Sequence, residues 1–468
     1  MRKVLLYICS VFILGGMTSC EDFLDKREDV GLTEDDIFRD YYSLRGFLDQ
    51  SFNQLENVMV MDNWENGRAF VGLFADEMAT TDNSSAVFTL HSGNRLSNAK
   101  SNKTFEIGNA GSTAIYRSDK AMRINNSIIN DIDKAPLKPD QKNEILGQAY
   151  FYRSWFYFQV IKRYGGMPII DKVFEGGDDD IPRMTYHESH DWMMEDIQKA
   201  IYMLPDSWDD PNYGRPTKIA AMALKEWAQL FDASPLMQND LNSTENKGYD
   251  TERAKSAAKS AYEVIRYMDG SKSAPYPYGL ASKEEYTNVF YFKYPPVHQP
   301  EYIWVKRQFP NAANQNQKRT IRTFWQYEDL AFGSGPDGNS MCCPSLNIVN
   351  MFDKKGADGI YYPIDDPRSG YALDYDHKPF EDRDPRFYNN ILLPGTTWGH
   401  YADGRTYYIT TYKGGAAYQH MLTQKDCNKR MFTGFMCKKF MWPECNQYLE
   451  KNNPNCWWDY RFLTIYIR

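Results

Sequence analysis

The sequence predicts a mostly α-helical protein: a helical-repeat scaffold carrying a loop-rich insertion with minor β content. Three observations predict it. Between Ala114 and Gly270 the chain holds successive apolar-periodic segments of helical length, each bounded by capping or breaking residues. Two of them place alanine where neighbouring helices would meet: Ala220, Ala221, Ala223 and Ala228 in one, Ala254, Ala257, Ala258 and Ala261 in the other. Small residues at such contacts suit stacked helix pairs. Beyond Gly270 the periodicity gives way to stretches rich in Pro, Tyr, Ser, Asn and Gly.

The first nineteen residues read as an address rather than as part of the fold. Arg2 and Lys3 form a basic start, Val4 to Leu14 a short apolar run, and Gly15-Gly16-Met17-Thr18-Ser19 leads to Cys20. That ending resembles a lipobox, with Met17 where Leu is commoner. Residues 1–19 are therefore expected to be a lipoprotein signal peptide, and Cys20 the acylated N-terminus of the mature chain. Two acyl chains suffice for stable anchoring where one is marginal. Glu21-Asp22, directly after it, resembles the acidic signal that sends lipoproteins of Bacteroidota to the cell surface. Loss of Arg2 and Lys3 takes the formal charge from −8 to −10. No basic block is long enough to follow a phosphate backbone, which argues against nucleic acid as a partner.

Six cysteines remain after Cys9 and Cys20: Cys342, Cys343, Cys427, Cys437, Cys445 and Cys456. An exported chain can pair them, with a connectivity the sequence does not give. No Cys-x-x-Cys occurs, so zinc is a poor reading.

In order, Glu21 to about Asp29 is a polar tether. Thr33-Glu34-Asp35-Asp36 starts a helix with acids in its first turn, and Phe38, Tyr42, Leu44 and Phe47 follow. Asp62 to Asn102 has few periodic apolar positions and is expected to be largely loop. Trp64, Asp76, Asp82 and Asn83 in it are candidates for ligand contact, although a solvated turn region accounts for each equally well. Ala114 to Ile132 is a helix broken by Pro136 and Pro139. Asp140-Gln141 begins the central helix, whose apolar positions Ile145, Ala149, Tyr152, Trp155, Phe156, Phe158 and Val160 cover most of its girth and so demand burial on most sides. Gln148, Arg153 and Gln159 interrupt it well short of the roughly 18 apolar residues a membrane span needs. Lys162 and Arg163 suit its C-terminal end, and Gly165-Gly166 with Pro168 stops it.

Tyr186 to Leu204 is the next helix, ended by Pro205. Thr217 caps Lys218 to Asp232, and Asp250 caps Thr251 to Met268 with Gly270 past its end. The tetratricopeptide signature W-x₂-L-G-x₂-Y meets Asn143, Leu146, Gly147 and Tyr150, matching at three of four positions, but Gln159 stands where its later alanine belongs. Further on, Glu301 to Val305 alternates like a strand, with Trp304 as a core residue. Asn311 to Lys318 and Gly333 to Gly338 are loops, and Arg319, Arg322, Trp325, Gln326 and Tyr327 lie between them. Irregular segments presented by a rigid frame are where binding usually resides.

Motifs for catalysis are missing. No phosphate-binding glycine loop, nucleophile elbow or His-Glu-x-x-His occurs, and no cofactor is implied. His187 and His190 share a helix face, where solvation is the ordinary reading for such a pair. Asp178-Asp179-Asp180 and Asp353…Asp358-Gly359 lack the alternation and distal Glu of a calcium loop. A glycosidase needs two carboxylates, and nothing singles out a pair among 62 acidic residues.

Three blocks of residues carry a resemblance. The first runs from Gly147 to Pro168: Gly-x-Ala-x-Phe-x-Arg-Ser-x-x-Tyr-Phe…Tyr-Gly-Gly-x-Pro. The second is Gly214-Arg215-Pro216-Thr217…Ala220-Ala221-x-Ala223-Leu224. The third holds Pro344-Ser345-Leu346, Asp358-Gly359, Asp382-Arg383-Asp384-Pro385-Arg386-Phe387 and Pro394-Gly395. Their content and order resemble the SusD/RagB family of outer-membrane nutrient-binding lipoproteins. The resemblance implies a tetratricopeptide-like (SusD-like) scaffold, a surface-exposed anchor in the outer membrane, a glycan or oligosaccharide as ligand, and a SusC-like TonB-dependent transporter as partner. On that basis residues 20–270 hold the lipid tether and helical-repeat region, and 271–468 the loop-rich glycan-binding region. Tyr460-Arg461-Phe462…Tyr466-Ile467-Arg468 resembles the start of the family's next helix, which implies a truncated C-terminus.

Stacking of aromatic faces on sugar C–H surfaces, with amides, carboxylates and guanidinium groups meeting the hydroxyls, is the mechanism expected of such a site. Aromatic residues make up 15% of the chain, enough to supply both a core and a binding surface. Trp325, Tyr327, Tyr291, Tyr294 and Trp64 are the candidates, chosen by loop position and residue type because the family's binding residues vary. Arg383 and Arg386 read as structural, pinning a Pro-fixed turn. A surface glycoside hydrolase and a sugar-independent assembly scaffold are the competing readings.

Overall fold

A computed structural model describes residues 33–55, 75–79, 114–174, 180–238, 248–273, 277–289, 299–306, 343–372, 376, 378–400, 406–415, 433–439 and 463–465. Thr33 closes a capping box with Asp36 and starts α1 (Glu34–Phe38). The single helix expected here is two. Asp40 adopts an extended backbone and its carboxylate accepts from the Ser43 amide at 2.8 Å, so the chain restarts as α2 (Tyr41–Asn53). Next come α3 (Ala114–Asp131) and α4 (Pro139–Tyr164). Helix α4 begins at Pro139 rather than Asp140, because proline suits the first helical position. Every residue from Ile145 to Ile161 except Tyr150 is buried, as its apolar girth required.

Helix α5 (Tyr186–Met203) opens on a capping box between Thr185 and Glu188. In α6 (Lys218–Asp232), Thr217 caps as expected. Helix α7 (Thr251–Gly270) is capped by Asp250, which accepts from the amides of Glu252 and Arg253 at 2.9 Å. It runs through Gly270 instead of stopping before it. Its inner face is Ala257, Ser260 and Val264, while Ala258, expected inside, is exposed.

Helices α2 to α7 pack on one another in chain order. Successive helices run antiparallel from α4 onward. A Cβ on Gly147, near the start of α4, would lie 3.0 Å from the Met203 Cβ at the end of α5. At the other end, a Cβ on Gly166 would lie 2.1 Å from the Met184 carbonyl oxygen. The backbones meet there with no room for a side chain. Gly166→Ala is expected to cost about 1–3 kcal/mol in urea unfolding, and an unchanged midpoint would contradict this contact.

The rest of the described chain adds α8 (Tyr286–Val289), α9 (Leu346–Asn350) and α10 (Pro385–Asn390), with ten short strands. These pair antiparallel in twos: β1 (Met78–Ala79) with β3 (Cys343–Pro344), β2 (Trp304–Lys306) with β10 (Leu463–Ile465), and β4 (Lys354–Lys355) with β5 (Tyr361–Tyr362). The same holds for β6 (Ile391–Leu392) with β9 (Met436–Cys437) and β7 (Thr397–His400) with β8 (Thr406–Tyr408).

The helix expected to start near Tyr460 is thus replaced, over Leu463–Ile465, by a strand with Ile465 opposite Trp304. Two β-branched residues in three, beside a strand edge in need of a partner, favour that outcome. Val349, Phe387, Ile391, Leu393 and Phe435 form a second small core. Cys437 is a buried thiol outside any disulfide, and burial pushes it up to about 12. Cys342, Cys427, Cys445 and Cys456 lie outside the described residues. Among the described residues no helix is long and apolar enough to cross a membrane.

Candidate functional site

Cys20, Trp64, Tyr291, Tyr294, Trp325 and Tyr327 all lie outside the described residues, as do Asp82, Asn83, Asp178 and Asp179. What is described is the ground from which their segments depart. Ala79 sits opposite Cys343, and Met78 opposite Pro344. The Ser345 amide donates to the Glu77 carbonyl at 2.9 Å, and its hydroxyl to the carbonyl of Asp76. Ala79 and Cys343, the ends of two stretches that lie outside the described residues, therefore sit side by side. A further anchor is Tyr302, whose hydroxyl donates to the Val289 carbonyl at 2.8 Å, directly before the stretch with Tyr291 and Tyr294.

Tyr302 also lines a recess, together with Trp208, Tyr213, Gly214, Arg215, Thr217 and residues Ile303 to Val305. One wall is the connection between α5 and α6, whose regular structure is limited to a 3₁₀ turn at Asp210–Asn212; the other is β2 and the turn before it. The Trp208 indole N–H donates to the Pro216 carbonyl at 2.8 Å, and the Trp304 N–H to the Gly214 carbonyl at 2.9 Å. Both indoles are thereby fixed by their edges. Trp304 is the core residue its strand pattern predicted, its ring centroid 4.8 Å from that of Phe151 and 5.2 Å from that of Trp155 on α4. Arg215, the one charged residue in this lining, forks onto Asp49 at 2.7 and 2.8 Å and onto Gln148 at 3.0 Å. The recess presents an apolar floor, aromatic walls and a paired guanidinium. It offers no pair of carboxylates for bond cleavage.

Sequence reasoning missed Trp208, Tyr213 and Tyr302. The available signal was a Trp and a Tyr inside the Asp- and Pro-rich connection from Asp206 to Pro216.

The remaining sequence candidates have structural roles. His190 is buried rather than solvated, with Nδ1 2.9 Å from Asp191, while His187 Nδ1 lies 2.7 Å from Asp232. Arg253 spans both carboxylates. The hydrogen bond from His190, then that from Arg253, hold the Asp191 carboxyl down at about 2. Asp358 is occupied by the Ile360 amide and the Tyr362 hydroxyl, at 3.0 and 2.7 Å. Asp76 is exposed and contributes its backbone to the β1 root. Arg383 and Arg386 pin the turn as their sequence implied: Arg386 pairs with Asp384 at 2.6 Å, and Arg383 donates only to carbonyls.

Comparison with known proteins gives two family matches. Residues 22–226 match a SusD-like model described as starch-binding and associating with the outer membrane, and residues 300–466 match the SusD family model. Among solved structures, the chain is similar to a SusD-like protein from Bacteroides fragilis, with 19% identity and a TM-score of 0.63 over 91% of this chain and 72% of that one. It is also similar to a SusD-like carbohydrate binding protein from the same species, with 16% identity and a TM-score of 0.59 over 87% of this chain and 69% of the other. No curated protein matches. At these identities the structural likeness speaks for the fold.

Proposed function

Because the chain belongs to the SusD/RagB family, we propose that it captures oligosaccharide as a Cys20-anchored lipoprotein on the outer face of the outer membrane and hands it to a SusC-like TonB-dependent transporter. The helical region up to Gly270 serves as frame, and the region from 271 presents ligand. What carries the reading is the match to a family model described as starch-binding over the residues that build the Trp208 wall of the recess.

Sugar rings stack on Trp325, Tyr327, Tyr291, Tyr294 and Trp64, and the recess of Trp208, Tyr213 and Tyr302 offers a further aromatic surface. Binding without turnover fits a lining whose one charge is already paired. Affinity electrophoresis against a polysaccharide panel tests this. At least one glycan should retard the protein, and Trp208→Ala should weaken that retardation by about tenfold, as loss of one stacking ring implies. Release of reducing ends would favour a hydrolase. A folded protein that no glycan retards would favour an assembly scaffold.

A further inference from the structure

Cys343 and Cys437 stand on neighbouring strands. Cys343 lies on β3, which pairs with β1, and Cys437 lies on β9, which pairs with β6. The two pairs belong to separate sheets, yet both Cα atoms of β3 lie within 8 Å of both Cα atoms of β9. Bridged cysteines ordinarily stand roughly 4 to 7 Å apart, Cα to Cα. Both side chains are buried thiols, Cys343 1% and Cys437 6% exposed. Burial pushes the Cys437 thiol up to about 12 against the pull of Lys439, and negative charge on Cys343 or Glu77 pushes the same way. The Cys437 sulfur is therefore within electrostatic reach of Cys343 and of the residue that precedes β1. Its own S–H donates to the Lys439 carbonyl at 3.5 Å, a weak bond that holds it little.

We propose that Cys343 and Cys437 are joined by a disulfide in the exported protein, formed while the chain folds. The oxidant is a disulfide-bearing thiol compound or protein. One cysteine thiolate attacks the oxidant's disulfide and displaces one of its thiolates; the second cysteine thiolate then attacks the mixed disulfide and displaces the other. The Cys343–Cys437 bond forms, the oxidant's sulfur–sulfur bond breaks, and the two electrons and two protons of the protein thiols end on the oxidant. A buried thiol yields little thiolate, so the exchange belongs to the stage before β9 is covered. The proposal rests on the export reading of residues 1–19, since a reducing compartment would keep both side chains as thiols. The bond would tie the β1–β3 join covalently to β9, and so to the small core that holds Ile391 and Phe435. It closes a long loop that takes in α9, α10 and β4 to β8, and long loops have the most chain entropy to lose.

The test uses the full chain. Purified protein is reduced, unfolded, refolded in a mixture of reduced and oxidised glutathione, alkylated, digested without reduction and read by mass spectrometry. The expected product is the peptide holding Cys343 joined to the peptide holding Cys437. Cys343→Ser and Cys437→Ser should each lose it, and Cys342→Ser should keep it. In urea unfolding, reduction should lower the folding equilibrium constant of the parent about thirtyfold more than that of the double variant Cys343→Ser with Cys437→Ser. The parent's linked peptide decides the pairing even where a serine variant does not fold. Three outcomes would overturn the proposal: both cysteines alkylated, either one joined to a different cysteine, or equal effects of reduction on the parent and the double variant. The refolding mixture supplies its own oxidant and palmitate labelling of cells separately reports on Cys20, so failure of the export reading and failure of the pairing are distinguishable.

Discussion

Replacing Arg153 by alanine is expected to destabilise the helical frame by about 3–5 kcal/mol, the usual cost of breaking a buried ion pair from one side. The guanidinium is 5% exposed and its partner Asp196 3%. Nε and Nη2 reach the two Asp196 oxygens at 2.6 and 2.8 Å, and Nη1 reaches the Asn126 side-chain oxygen at 3.0 Å. Tyr150 and Trp192 flank the fork at 5.6 and 5.2 Å. One side chain thus ties α3, α4 and α5 together. Alanine would leave the buried Asp196 carboxylate with only the half-exposed Lys199, 3.7 Å away, and the Asn126 amide oxygen without its donor. Urea unfolding followed by circular dichroism measures the loss. The paired replacement Arg153→Met with Asp196→Leu should cost less than Arg153→Ala alone, since no charge is then left behind. A loss below about 1 kcal/mol for Arg153→Ala would place the pair with surface salt bridges, which contribute that little.

The second large effect is expected at Arg383, which is 1% exposed and has no carboxylate partner among the described residues. It donates to the Val349 carbonyl at 2.6 Å, to that of Phe352 at 2.6 and 3.2 Å, and to that of Pro379 at 3.1 Å. Burial lowers its pKa from the ordinary arginine value, and carbonyl dipoles stand in for a counter-ion. Arg383→Ala would leave three carbonyls without donors, at about 1–3 kcal/mol for each buried group left unpaired. The damage should be local. Hydrogen exchange is expected to accelerate in α9, α10 and β6 while α4 and α5 keep their protection. Uniform acceleration across both regions would show that the small core does not unfold by itself. Arg383→Lys should rescue little, because one ammonium cannot reproduce the reach of a planar fork.

The frame was legible in the sequence because its signals are local. Thr217 and Asp250 cap helices with their own side chains, and the aromatic girth of α4 announces burial without reference to any partner. Asp40 splits the first helix through an equally local cap, its carboxylate on the Ser43 amide, inside a run whose apolar positions alone read as one helix. The other differences arose where a neighbour decides. Ala258 faces out because α6 covers only one side of α7. Leu463–Ile465 became a strand because the edge of β2 lies beside it. The recess was harder still, since its walls are joined by the Trp304 bond to Gly214, residues 90 positions apart. No window along the chain contains both. The loop aromatics, by contrast, were chosen on residue type and position alone, and the described residues fix only where their segments begin and end.

Trp304 has a mechanical consequence. Its indole is wedged among the rings of the 26-residue helix α4 and latched to Gly214, and the chain continues from Lys306 towards Trp325. Tension arising beyond Lys306 would arrive at a bolted joint. The load would pass into the longest lever of the described structure instead of being spent on bending a turn.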